Sequence, residues 1–157
     1  MKPRLLLAFA LAGLASGRPA LAAGDAKGVT FDATVAASCT LTVNSNGTMV
    51  PSPGLETLSS KLAGGSPASL SLATTGGVDL SVDPVTVVTA PVEDITATAW
   101  TPTYSATGAH AIAETGATTA LTAPGASTVS VNLVGTKSGA DRFSQGSYQA
   151  TVTVRCE

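Results

Sequence analysis

Between residues 29 and 43 the chain alternates apolar and polar positions with a single break. Val29, Phe31, Ala33, Val35, Ala37, Cys39, Leu41 and Val43 share one side, and Thr30, Asp32, Thr34, Ser38, Thr40 and Thr42 share the other. Period-two alternation marks a β-strand with one buried face. At roughly 3.3 Å per residue the run would extend about 50 Å, far beyond a typical strand of about 5 to 6 residues. A domain of this size has a radius of gyration of about 14 Å, so a straight run of that length cannot lie wholly inside its own fold. Either the run bends near Ala36-Ala37-Ser38, or its first half pairs outside its own molecule.

Shorter runs of the same kind follow at residues 69–73, 78–82, 85–89, 95–100, 111–114, 128–134 and 147–156, separated by Gly, Pro and Asp breakers. In the last run Tyr148, Ala150, Val152, Val154 and Cys156 fall on one face. Helical spacing occurs at Leu55, Leu58 and Leu62, but Pro51, Pro53, Gly54 and Gly64-Gly65-Ser66-Pro67 confine it to one or two turns. Seven to nine short strands with frequent turn residues predict an all-β fold, an immunoglobulin-like β-sandwich formed by residues 37–157. Asn46-Gly47 reads as a turn in preference to a glycosylation site with Thr48.

Residues 1–22 read as a secretory signal, with Lys2 and Arg4 ahead of a short apolar core and Ala20-Leu21-Ala22 as the cleavage pattern. That core is too short to span a bilayer, which takes about 20 apolar residues. The expected mature chain is exported. Without the signal it keeps five basic residues against ten acidic ones, scattered singly, which lacks the electrostatic footprint of a nucleic-acid binder. Charged residues make up 11% and apolar residues 44%, so the chain can bury a core and has little charge repulsion against self-association.

Two cysteines, Cys39 and Cys156, lie in phase with the apolar faces of the first and last runs. In an oxidising compartment one bridge between them is expected, with intermolecular pairing or free thiols as the alternatives.

Residues able to support catalysis are sparse. His110 is the lone histidine and reads as a surface imidazole, no G-x-S-x-G elbow frames a serine, and no ligand cluster or calcium loop is present. Glu93-Asp94 reads as loop solvation, and Trp100 and Tyr104 as core anchors in preference to a sugar platform. No enzyme activity, metal or cofactor is expected. What remains is the edge chemistry of sheets. A sandwich short of one strand exposes an apolar groove and unpaired backbone groups, which a strand from a neighbour can fill.

The ends of the chain carry a resemblance. Val29-Thr-Phe-Asp-Ala-Thr-Val-Ala-Ala-Ser-Cys39-Thr-Leu resembles the N-terminus of chaperone-usher pilins of the archaic type, grouped with spore coat protein U domains. Gly146-Ser-Tyr148-Gln-Ala-Thr-Val152-Thr-Val154 is similar to that family's closing strand. The family's first cysteine usually pairs early in the fold, whereas here Cys156 is the only possible intrachain partner for Cys39. The resemblance implies a surface-fibre subunit or spore-coat-U-like secreted protein, assembled by donor-strand complementation. Residues 23–36 would be the donor extension, with Val29, Phe31, Ala33 and Val35 inserting beside Tyr148, Ala150, Val152 and Val154 of an adjacent copy. Its implied partners are further copies, a periplasmic chaperone and an outer-membrane usher. The alternative is a self-contained secreted β-sandwich in which residues 29–43 bend and pair internally, leaving loops to bind carbohydrate or a surface protein.

Overall fold

The computed structural model describes residues 24–157, so the signal-like segment 1–22 lies outside the described residues. Residues 24–33 belong to a separate unit from the domain, which comprises Thr34–Glu157. Within residues 24–33 there is no strand and every residue is exposed.

The domain is all-β. Strand β10 (Gly125–Thr136) organises the larger sheet because Ser127, Val129, Val131, Leu133 and Gly135 alternate onto its buried face. Along one edge of β10 run β4 (Ala68–Thr74) and then β3 (Thr57–Ser59); along the other runs β7 (Ala99–Gly108). The outer positions are taken by β1 (Cys39–Ser45) on β4, β2 (Val50–Pro51) on β3 and β8 (Ile112–Thr115) on β7, all antiparallel. Gly135 lies opposite Trp100 in register, and a Cβ there would come within 2.4 Å of the indole ring. The glycine is what lets the indole lie flat on the strand.

Two smaller sheets contain the second layer. One joins β12 (Val154–Cys156), β5 (Val78–Val82) and β9 (Thr119–Leu121); the other joins β11 (Gln149–Thr151) to β6 (Val87–Thr89). The expected run 147–156 is thus split into β11 and β12, opposite the split between β5 and β6 at Asp83-Pro84. Pro84 has no N–H to give a ladder. Thr153 still accepts a 2.9 Å bond from the Asp83 N–H, so the strand continues past the interruption.

One core contains Leu70, Leu72, Leu80, Tyr104, Ala106, Leu121, Val129 and Val131. Tyr104 ties the layers together: from β7 its buried hydroxyl lies 2.8–2.9 Å from the carbonyls of Leu80 and Ala117 and from Thr119 Oγ1. The aromatic residue is a core anchor.

Four expectations are corrected. The strand expected over residues 29–43 begins only at Cys39, because its partner β4 ends at Thr74, opposite Cys39. The helical turns expected at residues 55–62 are replaced by β3, drawn into a ladder with β10. Asn46-Gly47 does not reverse the chain; Thr48 goes on to an isolated antiparallel bridge with Ser66, beyond the ends of β1 and β4. His110 is half-buried, its Nδ1 at 3.0 Å from Ser127 Oγ and its Nε2 at 3.0 Å from the Ala123 carbonyl.

Both cysteines are committed to one intrachain bridge, which joins β1 to β12 with Cα atoms 6.0 Å apart and closes a sequence separation of 117 residues. Removing a cross-link over a loop of that size should lower stability by about 4–5 kcal/mol on the chain-entropy account. Urea unfolding of the Cys39→Ser/Cys156→Ser double variant measures the loss.

Candidate functional site

Beyond the disulfide the first and last strands part. β1 pairs only with β4, and β12 only with β5, so each presents an unpaired edge. Between them lies a groove of about 1090 Å³. Leu41 and Val43 of β1 form one wall; Tyr148, Ala150, Val152 and Val154 form the other; Leu58, Leu70, Val131 and Leu133 lie beneath. On β1 the wall follows from alternation, residues two apart pointing to one face; the opposite wall is shared by β11, β12 and the residues flanking β11.

The sequence reading had nominated Tyr148, Ala150, Val152 and Val154, and all four line this groove. Cys39 and Cys156 close one end of the β1–β12 pair. Val29, Phe31 and Val35 lie outside any strand at 75%, 92% and 78% exposure, and Ala33 is exposed as well.

The core is sealed unevenly. Leu72, Leu80, Leu121 and Val129 are 0–1% exposed, whereas Leu58, Leu70, Val131 and Leu133, beneath the groove, are 6–8% exposed. The slightly more exposed set lies on β3, β4 and β10, under the groove.

Sequence reasoning missed how the open end of the groove is built. Phe143 and Tyr148 meet edge to face there, with ring centroids 5.3 Å apart, and Phe143 also packs against Trp100 at 6.4 Å. The Lys137 ammonium lies 5.0 Å from the Phe143 centroid and forms a buried ion pair with Asp94. It also donates to the Thr96 carbonyl at 2.7 Å, while the Tyr148 hydroxyl donates to the second oxygen of Asp94. Asp94 was expected to be a solvated loop acid; it is instead 3% exposed at its side chain and holds three segments together. The available signal was Lys137, which continues the parity of the buried positions Val129, Val131, Leu133 and Gly135. A lysine in phase with a core face demands a buried partner. Nothing local identified Asp94 as that partner.

Leu55 completes this end. It takes a φ of 61°, uncommon for a residue with a side chain, while its carbonyl accepts the Phe143 N–H at 2.8 Å. That bond ties the Pro-rich connection to the loop bearing Phe143.

Electrostatics follow from burial. Desolvation works to raise the Asp94 carboxyl, but the hydrogen bonds from Lys137 and Tyr148, with the Lys137 charge, outweigh it and hold the group below its ordinary range. Desolvation, then the bond to Asp94 and its negative charge, push the Tyr148 hydroxyl up to about 12. Among the described residues no group of three His, Cys, Asp or Glu side chains could hold a metal ion. The groove itself offers shape, apolar surface and unpaired strand edges.

Comparison with protein-family models, curated proteins and solved structures finds no match to the chain.

Breaking the buried pair should be costly, because the remaining charge has no partner. Lys137→Met should lower stability by about 3–5 kcal/mol in urea unfolding at neutral pH. The pH dependence has two signs. Asp94 holds its proton less readily when folded, so its contribution is complete above the unfolded value near 3.8 and is lost as pH falls through the lower folded value. Tyr148 holds its proton more readily when folded, so its contribution is complete below 10.0 and is lost as pH rises toward about 12. Tyr148→Phe should remove the alkaline part of the stability profile and leave the acid part largely in place.

Proposed function

We propose that this chain is a structural subunit that assembles head to tail, residues 29–35 of one copy lying in the groove of the next. The supporting observation is a match between two features left without partners in a single copy. One is the exposed segment with Val29, Phe31, Ala33 and Val35 on one face. The other is a groove flanked by unpaired edges, whose C-terminal wall offers Tyr148, Ala150, Val152 and Val154. Both series have four inward positions at period two, so a strand inserted there presents one apolar side chain to each step of the wall.

Magnitudes favour an extended strand as occupant. Burying Val29, Phe31 and Val35 contributes about 1.5–3 kcal/mol each, while association costs about 4–15 kcal/mol. Side chains alone therefore do little more than meet the cost. The surplus comes from backbone bonds to the two edges, each worth about 0.5–1.5 kcal/mol net. A compact ligand would leave those edges unpaired.

Each copy both gives and receives, so the contact is heterologous and propagates as a fibre. This agrees with the resemblance to archaic chaperone-usher pilins and spore coat protein U domains, which assigns the fibre to the cell surface or to a secreted coat. An open groove with free edges is an aggregation hazard before assembly. A periplasmic chaperone is the interim occupant that the resemblance implies, and an outer-membrane usher the site of exchange. No helix among the described residues is long and apolar enough to cross a membrane, and the subunit needs none for this role.

Two variants separate giving from receiving. Phe31→Asp should disable the segment and Val152→Arg the groove, so that each variant remains monomeric in light scattering. Mixed, they should form a 1:1 heterodimer that grows no further. If both variants polymerise like the parent, the proposal fails; if the parent itself stays monomeric with residues 29–35 protected from proteases, the self-contained binding module replaces it.

A further inference from the structure

Donation to a neighbour faces a competitor, because the segment could fold back into the groove of its own molecule. Only residues 36–38 separate Val35 from β1. A three-residue hairpin could in principle make that reversal. Two features of the domain oppose it.

The first is the disulfide. Adjacent strands lie about 4.8 Å apart, so an intervening strand needs its two neighbours separated by roughly 9 to 10 Å. At Cys39 and Cys156 the Cα atoms are 6.0 Å apart. No strand fits at that level, and a segment folding back from Cys39 would have to pass around the bridge to reach the groove.

The second is Thr75, at the end of β4 where the chain turns away through Gly76 and Gly77, both at positive φ. Its backbone N–H donates to the Ser38 carbonyl at 3.0 Å, extending the β1–β4 ladder by one step. Its hydroxyl accepts the Ser38 N–H at 2.7 Å and donates to the Ala36 carbonyl at 2.9 Å. Past the last residue of β4 this hydroxyl holds the Ala36 carbonyl and the Ser38 N–H toward that strand, while the Thr74 hydroxyl donates to the Ser38 carbonyl at 2.9 Å. The groove opens on the opposite edge of β1. A fold-back hairpin would have to release both hydroxyl bonds.

We infer that Thr75 is a positioning residue that holds residues 36–38 against β4 and so directs the preceding segment to another copy instead of its own groove. This rests on the head-to-tail reading above. It also assigns a role to a polar residue, since the Thr75 hydroxyl touches neither the groove nor the proposed donor side chains.

The test uses full-length chains refolded at one fixed concentration. Thr75→Val keeps the side-chain shape and loses both hydroxyl bonds, whereas Thr75→Ser keeps the hydroxyl. Thr75→Val should raise the monomer fraction in light scattering at least threefold. In that monomer residues 29–35 should resist proteolysis, and a synthetic peptide of residues 28–36 should fail to bind. Thr75→Ser should match the parent in all three respects. Equal monomer fractions for parent, Thr75→Val and Thr75→Ser would overturn the inference, as would a Thr75→Val monomer that binds the peptide. Full-length Phe31→Asp, whose groove is unoccupied, serves as the control acceptor. If it does not bind the peptide, the head-to-tail reading itself is wrong and the role of Thr75 falls with it.

Discussion

The Cys39–Cys156 bridge is the constraint from which the rest of the domain can be understood. It joins the edge strand of one layer to the edge strand of the other, and at 6.0 Å it holds them too close for anything to pass between. Near that end Leu72, Leu80 and Val129 are fully sealed. Farther along, the strands separate, and the same core becomes the floor of an open trough. A covalent closure at one end and a gap at the other give the sandwich a polarity that noncovalent packing would not impose.

The open end needs its own support, because no covalent tie reaches it. The Lys137–Asp94 pair and the Tyr148 hydroxyl supply that support from within the protein interior. Buried ion pairs are weak sources of net stability, but they fix geometry by making alternatives expensive. Here the geometry fixed is the position of Phe143 and Tyr148 at the mouth of the groove. Tyr104 plays the corresponding part in the centre, where one hydroxyl connects β7 to β5 and to the carbonyl and side-chain oxygens near β9.

An unpaired sheet edge calls for a partner strand, and the segment proposed to supply one is joined to β1 through residues 36–38 alone. Proximity creates a conflict between self-completion and assembly. The bridge and Thr75 act on the same three connecting residues from different sides, one by exclusion and the other by hydrogen bonding. In this reading the subunit is built to leave its own groove unfilled, so that the cohesion of a fibre uses contacts a complete domain would keep for itself.

Much of this was legible in the residues alone. Alternation located most of the strands, and the shared parity of Cys39 with Leu41 and of Cys156 with Val154 indicated that both thiols face inward. The excessive length of the 29–43 run signalled that it could not lie as one straight strand within its own fold, because the period of a strand and its rise per residue are fixed by covalent geometry. Tertiary structure alone decided where that run divides, since pairing ends when the partner strand ends, and β4 turns away just past Thr75. It also decided that Asp94 meets Lys137 across 43 residues, and that the Thr75 hydroxyl binds the backbone of Ala36 and Ser38 beyond the end of β4. Such contacts join segments distant in sequence through single side chains, and no local periodicity records them.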